Sequence, residues 1–271
     1  VVAAMLDSNV KRRKEIEALT AIPVYGELPR KLRKLKNQEI VVNLEEPSEL
    51  SECFPLLAER MVALSDENAG KPLSVLITST CSGEGKTYLS VNLALSLAVA
   101  GKKVLLMDMD LRKGSLSSLL GGAGKPGIGD LEQAGEGGWR SLVEQSPVSA
   151  HLDYLFAGTL PDHPSRLLLH DRIRKLMEEL KEQYDFIFMD CVPYSSLADA
   201  HIVARLADVT LYVMRAGCVK KRDLAGLQKI WKNGELKRMG IVLCDVEPHG
   251  RSSRGYAVYR SLDTSSPCAE K

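Results

Sequence analysis

The sequence predicts an α/β domain: a doubly wound, mostly parallel sheet with helices on both faces. Three observations carry that prediction. Apolar, β-branched runs alternate with helical periods along most of the 271 residues, which is the pattern of a parallel sheet covered on both sides. Several of these runs end in aspartate, at the carboxyl edge where open α/β sheets place their chemistry. One run, VLITSTCSGEGKT (75–87), joins strand, glycine loop and helix in the order a phosphate-binding loop requires.

Composition narrows the class. The chain is 45% hydrophobic and 26% charged, as in a globular protein with a full core. A formal net charge of +1 gives no reason to expect a nucleic-acid partner. Cys53, Cys81, Cys191, Cys218, Cys244 and Cys268 are scattered without a CxxC pair, which suggests free thiols in a reducing compartment. No apolar run reaches the ~18 residues of a membrane span, and VVAAML at the start is too short for a signal-peptide core.

Taken in order, residues 1–46 read as a peripheral juxtamembrane linker segment. KRRK (11–14) and the cluster Arg30, Lys31, Arg33, Lys34 and Lys36 make it basic. Such a segment is either a solvated face or is held near anionic lipid, each basic residue contributing ~1 kcal/mol close to the surface. IPVYGELPR (22–30) breaks any helix through its prolines and glycine. A domain over 47–245 follows. Its first element is a helix within 45–68, with Pro47 near the start and Pro55 as an awkward interruption.

After the phosphate loop, LSVNLALSLAVA (89–100) fits a helix packed on a sheet, and KKVLLMD (102–108) a second strand. Residues 121–150 are glycine-rich and loose, with a short element around Trp139. HLDYLFAG (151–158) is a strand, 165–183 one long amphipathic helix, and YDFIFMD (184–190) a buried strand ending in Asp190. A helix near 197–207, a strand at 208–216, a basic helix at 220–233 and a strand at 238–246 complete the alternation. Residues 246–271 are polar and read as a flexible tail carrying Tyr256 and Tyr259.

Three strand ends therefore converge. Backbone N–H groups of the loop Ser82, Gly83, Glu84, Gly85, Lys86, Thr87 and Tyr88 can cradle a polyphosphate, because glycines clear the approach and the following helix adds positive potential. Lys86 can reach the β- and γ-phosphates, and the Thr87 hydroxyl can bind Mg²⁺. Asp190 fits the carboxylate that holds the ion, while Asp108 or Asp110 can orient or deprotonate a nucleophile. Cys81 and Cys191 lie near the same edge and read first as small residues tolerated in tight loops, and second as thiols that helix N-termini and Mg²⁺ would make easier to ionise. The five histidines show no metal spacing and read as surface or capping residues.

Together these segments resemble the cytoplasmic domain of the bacterial tyrosine kinases (BY-kinases) of polysaccharide chain-length determination and export, over nearly the whole chain. SGEGKT (82–87) looks like their Walker A, VLLMDMDLRKG (104–114) like their Walker A′ and FIFMDCVP (186–193) like their Walker B. LFAGTLPDHPSRLL (155–168), LADAHIVARLADVTLYVMRA (197–216) and ALTAIPVYGELP (18–29) are similar to further family segments, the last to the link from a membrane helix.

The resemblance implies a P-loop NTPase fold, ATP and Mg²⁺ as cofactors, and autophosphorylation of the tail on Tyr256 and Tyr259. Lys86 and Thr87 would bind phosphate and metal. Asp108 and Asp190 would help hold the ion, and Asp110 would act near the incoming tyrosine hydroxyl. The implied setting is the cytoplasmic face of the bacterial inner membrane, just past a transmembrane helix. The implied partners are further copies of the chain phosphorylated in trans, a polysaccharide export complex and a phosphotyrosine phosphatase.

The chain also departs from the family pattern. The family's oligomerisation helix carries a Glu and two Arg at three-residue spacing, and here Glu52 is followed by Pro55 and Ala58. Cys191 and Val192 stand where Thr and Pro usually follow the Walker B aspartate, and Cys244 replaces a late-strand Asn near the base. Two alternatives follow. One is a MinD/ParA-like ATPase switch, although Cys81 occupies the place of its signature lysine. The other is a nucleotide-binding scaffold of the export complex with little kinase activity.

Overall fold

In the computed structural model, which describes residues 8–30, 40–42, 49–135, 137–195 and 197–247, the apolar runs form one eight-stranded sheet. Its strands are β1 (Val24–Pro29), β2 (Leu73–Ser79), β3 (Val104–Asp108), β4 (Val143–Gln145), β5 (Leu152–Leu155), β6 (Phe186–Asp190), β7 (Val209–Arg215) and β8 (Gly240–Val246). Their order is β1-β8-β7-β2-β6-β3-β5-β4, and every pairing is parallel except that of β4 with β5. The doubly wound α/β prediction holds.

Alternation along each strand divides the core in two. Val75 and Ile77 of β2, Leu106 of β3, Phe186 and Phe188 of β6 and Val242 of β8 face one side. There they pack with α2 (Glu49–Asp66) and α3 (Lys86–Val99), through Phe54, Leu57, Met61, Leu93 and Leu97. Leu76, Leu105, Met107, Ile187, Met189 and Leu243 face the other side. These meet α1 (Arg13–Leu19), α7 (Asp171–Lys181), α8 (Ala198–Ala204) and α9 (Leu224–Lys232). The short helices α4 (Ser115–Leu119), α5 (Leu131–Ala134) and α6 (Pro164–Leu168) complete the chain. Helix α2 runs through Pro55. The proline removes one backbone hydrogen bond, and burial of Phe54, Leu57 and Met61 holds the helix in place.

Two expectations need correction. Residues 8–30, read as peripheral linker, belong to the sheet layer. Strand β1 pairs in parallel with β8, from Val24 opposite Ile241 to Pro29 opposite Val246, and Ile16, Ile22 and Leu28 are buried. The glycine and prolines that break a helix suit an edge strand, where a missing N–H is tolerated. Gly26 packs against Leu57, and Gly240 lies so close under the Tyr25 ring that a Cβ there would clash. Leu28→Ala is expected to cost about 2–4 kcal/mol in denaturant unfolding, whereas a linker position would stay within about 0.5 kcal/mol.

The long helix at 165–183 is two helices, α6 and α7. His170 takes an extended conformation between them, and its Nδ1 accepts the Arg172 N–H at 3.2 Å as the cap of α7. Residues 248–271, with Tyr256 and Tyr259, lie outside the described residues, as do Lys31, Arg33, Lys34 and Lys36 of the basic cluster. Among the described residues no helix is long and apolar enough to cross a membrane.

Candidate functional site

The adjacent carboxyl ends of β2, β6 and β3 build the site. Between β2 and α3 the loop turns twice through positive φ, at Gly83 (83°) and Gly85 (101°), conformations that favour glycine. Glu84 sits between them with its side chain turned inward. It is 3% exposed, and its Oε2 accepts the Cys81 N–H at 2.6 Å. Burial raises the Glu84 carboxyl above its ordinary value. Of the loop residues expected to meet a nucleotide, Ser82, Gly83, Gly85, Lys86, Thr87 and Tyr88 line a cleft of about 490 Å³. The Glu84 side chain instead braces the loop from below.

The Ser79 hydroxyl accepts from Lys86 Nζ at 3.0 Å while donating to the Cys81 carbonyl at 2.7 Å. Lys86 is thus held over the loop. Burial lowers the pKa of its ammonium, against the pull of Asp190, Glu84 and Asp110. The next residue, Thr87, donates its hydroxyl to Asp190 Oδ2 at 2.7 Å, and Ser90 Oγ lies 3.0 Å from Asp190 Oδ1.

The three aspartates take distinct positions. Asp190, at the end of β6, lines the cleft, and burial pushes its carboxyl up to about 7 despite the hydroxyls of Thr87 and Ser90. Asp110 also lines the cleft. Its Oδ1 accepts the N–H groups of Arg112 (3.3 Å) and Lys113 (3.2 Å), and its Oδ2 accepts the Ser115 hydroxyl at 3.2 Å.

Asp108, expected to help hold the ion, is fully buried and does not line the cleft. Its Oδ2 accepts both the N–H (2.8 Å) and the hydroxyl (2.7 Å) of Ser117 in α4, and its Oδ1 accepts the Asp110 N–H at 3.1 Å. Burial raises this carboxyl to about 6. Asp108 therefore fixes the turn that carries Asp110, rather than offering a free oxygen to a metal. Asp108→Asn would set an amide N–H against an N–H donor and displace that turn. A loss of several-fold in nucleotide turnover, with little change in the Mg²⁺ concentration needed, is the expected kinetic result.

Cys191 lines the cleft, as a small residue in a tight loop at that edge would. It is buried, and burial pushes its thiol well above the ordinary range, so the neutral form is favoured. Cys81 is exposed, and Cys244 is buried, with its side chain beside Gly85, where an added Cβ would meet it at ordinary van der Waals distance.

The donor set suits a hard divalent cation. Thr87 and Asp190 offer oxygen ligands 2.7 Å apart, and Asp190 is a buried carboxylate whose charge is met by Lys86 and two hydroxyls alone among its described neighbours. Among the described residues no group of three or more His, Cys, Asp or Glu side chains is placed to hold a metal ion, so the chain would share such an ion with a ligand's phosphate oxygens.

Comparisons with known proteins agree with this geometry. Residues 75–267 match the model of the CobQ/CobB/MinD/ParA nucleotide binding domain. The chain is 31% identical over 231 residues to the tyrosine-protein kinase YwqD of Bacillus subtilis, covering 84% of this chain and 94% of that one. It is 30% identical over 186 residues to the tyrosine-protein kinase wzc of Salmonella typhi, covering 68% of this chain and 26% of that one. Among solved structures, the BceF tyrosine kinase domain superposes with a TM-score of 0.75 at 28% identity, over 88% of this chain and 99% of that one. The chain spans about a quarter of the length of several relatives, 27% in the case of EpsB of Ralstonia nicotianae.

Proposed function

The chain belongs to the CobQ/CobB/MinD/ParA nucleotide-binding family and, within it, to the bacterial tyrosine-protein kinases; on that premise we propose that it transfers the γ-phosphoryl group of Mg·ATP to tyrosines of its own kind. The observation that carries the reading is the grouping, in one cleft, of Lys86, Thr87 and Asp190 with Asp110. The first three supply a phosphate cradle and two oxygen donors to the ion. Asp110 adds a carboxylate able to take a hydroxyl proton.

In this mechanism the loop N–H groups and Lys86 hold the β- and γ-phosphates, and Thr87 with Asp190 would hold Mg²⁺. The ion, when bound, neutralises charge developing on the phosphoryl oxygens. Asp110 accepts the proton of the tyrosine hydroxyl as it attacks. The bound N–H groups of Arg112 and Lys113 keep that carboxylate oriented. A MinD/ParA-like switch would share the cradle but lacks its signature lysine here, where Cys81 stands.

The acceptors in this reading are Tyr256 and Tyr259, presented by the tail of a second copy. Arg251, Arg254 and Arg260 give that segment a positive character suited to the aspartates of the cleft. Phosphorylation adds about −1.5 to −2 charges per tyrosine and would drive the product away from those carboxylates. The same reading places the domain at the cytoplasmic face of the inner membrane, in a polysaccharide export complex reset by a phosphotyrosine phosphatase. Replacing both Tyr256 and Tyr259 with Phe should remove most of the phosphotyrosine formed on incubation with Mg·ATP, with ATP affinity unchanged. Label persisting at Tyr154, Tyr184 or Tyr212 would exclude the tail as substrate.

A further inference from the structure

The cleft holds a second fixed cation that the phosphate-loop motif does not account for. Arg112 follows the Asp110 turn and lines the cleft together with Lys113 and Ser115. Its Nε donates to Asp199 Oδ2 at 2.6 Å and its Nη2 to Asp199 Oδ1 at 3.3 Å, a two-pronged grip on a carboxylate from α8. The Asp199 side chain is 2% exposed, whereas that of Arg112 is 40% exposed. Ser165 of α6 donates its hydroxyl to the same carboxylate. Three elements distant in sequence thus converge to hold one guanidinium at the cleft.

A guanidinium has five N–H donors in a rigid fork. Asp199 takes two of them, and the described contacts leave the others uncommitted. A planar cation held at the edge of a phosphate site has a further use. Phosphoryl transfer is accelerated almost wholly by positioning and by charge placed against the equatorial oxygens, and an arginine supplied for that purpose contributes 10³–10⁵ in rate in other systems.

We propose that Arg112 is a catalytic residue that places positive charge against the phosphoryl group in transfer, and that Asp199 and Ser165 are its positioning residues. No partner molecule need bring an arginine, because the chain carries its own. The proposal rests on the kinase reading for the identity of the reaction, but not for the site of the charge. Binding therefore separates the two. Mg·ADP with aluminium fluoride mimics the phosphoryl group in flight, whereas Mg·ADP alone lacks that group.

Arg112→Ala and Arg112→Lys should each weaken the affinity of the full chain for Mg·ADP·aluminium fluoride by about 10²-fold or more, with Mg·ADP affinity changed less than about threefold. Asp199→Asn should produce a smaller loss of the same kind. Because Arg112→Ala leaves a buried carboxylate unpaired, the double variant Arg112→Ala with Asp199→Ala serves as the fold control. It should regain the melting temperature lost by the single variant and still fail to bind the analogue tightly. Equal losses for Mg·ADP and the analogue, or recovery of analogue affinity in the double variant, would show a structural pair and overturn the proposal. Wild-type chain that binds the analogue without forming phosphotyrosine would instead defeat the kinase reading and leave the role of Arg112 to stand or fall on the affinities.

Discussion

Lys86→Ala is expected to lower turnover of Mg·ATP by at least 10²–10³-fold and to weaken nucleotide binding as well. The Lys86 side chain is half-buried, and its ammonium donates only to Ser79 Oγ among the described contacts, at 3.0 Å. Burial lowers its pKa, so the protein spends stability to keep a charge there. That arrangement is productive only when phosphate oxygens take over from Ser79. The loss of one preorganised donor to a developing charge ordinarily costs about 2.7–4 kcal/mol in the transition state, and here the ground-state phosphates lose the same partner. Calorimetric titration with Mg·ATP and steady-state ADP release measure the two effects separately. Unchanged affinity together with unchanged turnover would mean that the loop does not cradle phosphate.

Asp190→Asn should move stability and binding in opposite directions. Burial raises this carboxyl from the ordinary 3.8 to about 7. A carboxyl raised on folding binds its proton more tightly in the native state. Its contribution is thus fully present below pH ~4 and is lost as pH rises through ~7. Asparagine removes that penalty with little rearrangement. Its Oδ1 can accept from Thr87, and its amide can donate to Ser90 Oγ, whose own proton then goes to the Lys86 carbonyl at 3.0 Å.

The ligand-free variant should therefore be more stable at pH 8 by on the order of 2–4 kcal/mol, with a flatter stability profile between pH 4 and 7. The same change removes the anionic ligand of Mg²⁺, so nucleotide binding should lose most of its dependence on the ion. Thermal melts across pH, with and without Mg·ADP, read both effects. A variant less stable than the parent at pH 8 would contradict the assignment of Asp190 as a buried charge that Lys86 and two hydroxyls only partly offset.

How far the sequence reveals this site depends on distance along the chain. Strands β2, β3, β6, β7 and β8 are legible because a strand buried on both faces must be apolar throughout, and each begins within two residues of its expected start. That Lys86, Thr87 and Asp190 share one cleft is legible because the first two open the helix after a glycine loop and the third ends the neighbouring strand. Strand β1 is not, since its prolines and glycine read as breakers unless the neighbouring edge, β8, is known. The direction of the Asp108 side chain is also hidden. It is decided by Ser117 in α4, whose N–H and hydroxyl capture the carboxylate. Arg112 and Asp199 lie 87 residues apart, and nothing local to either one marks the pair. The split at His170 escapes a periodic reading because leucines continue the apolar pattern up to the break.

The test that reaches furthest is the mass-spectrometric detection of phosphotyrosine after purified chain is incubated with Mg·ATP, beside Lys86→Met treated identically. Phosphotyrosine at Tyr256 and Tyr259 in the parent protein and none in Lys86→Met is the outcome that follows from a cleft joining Lys86, Thr87, Asp190 and Asp110. ADP release with no phosphotyrosine at any position, or equal phosphotyrosine in both proteins, would contradict it.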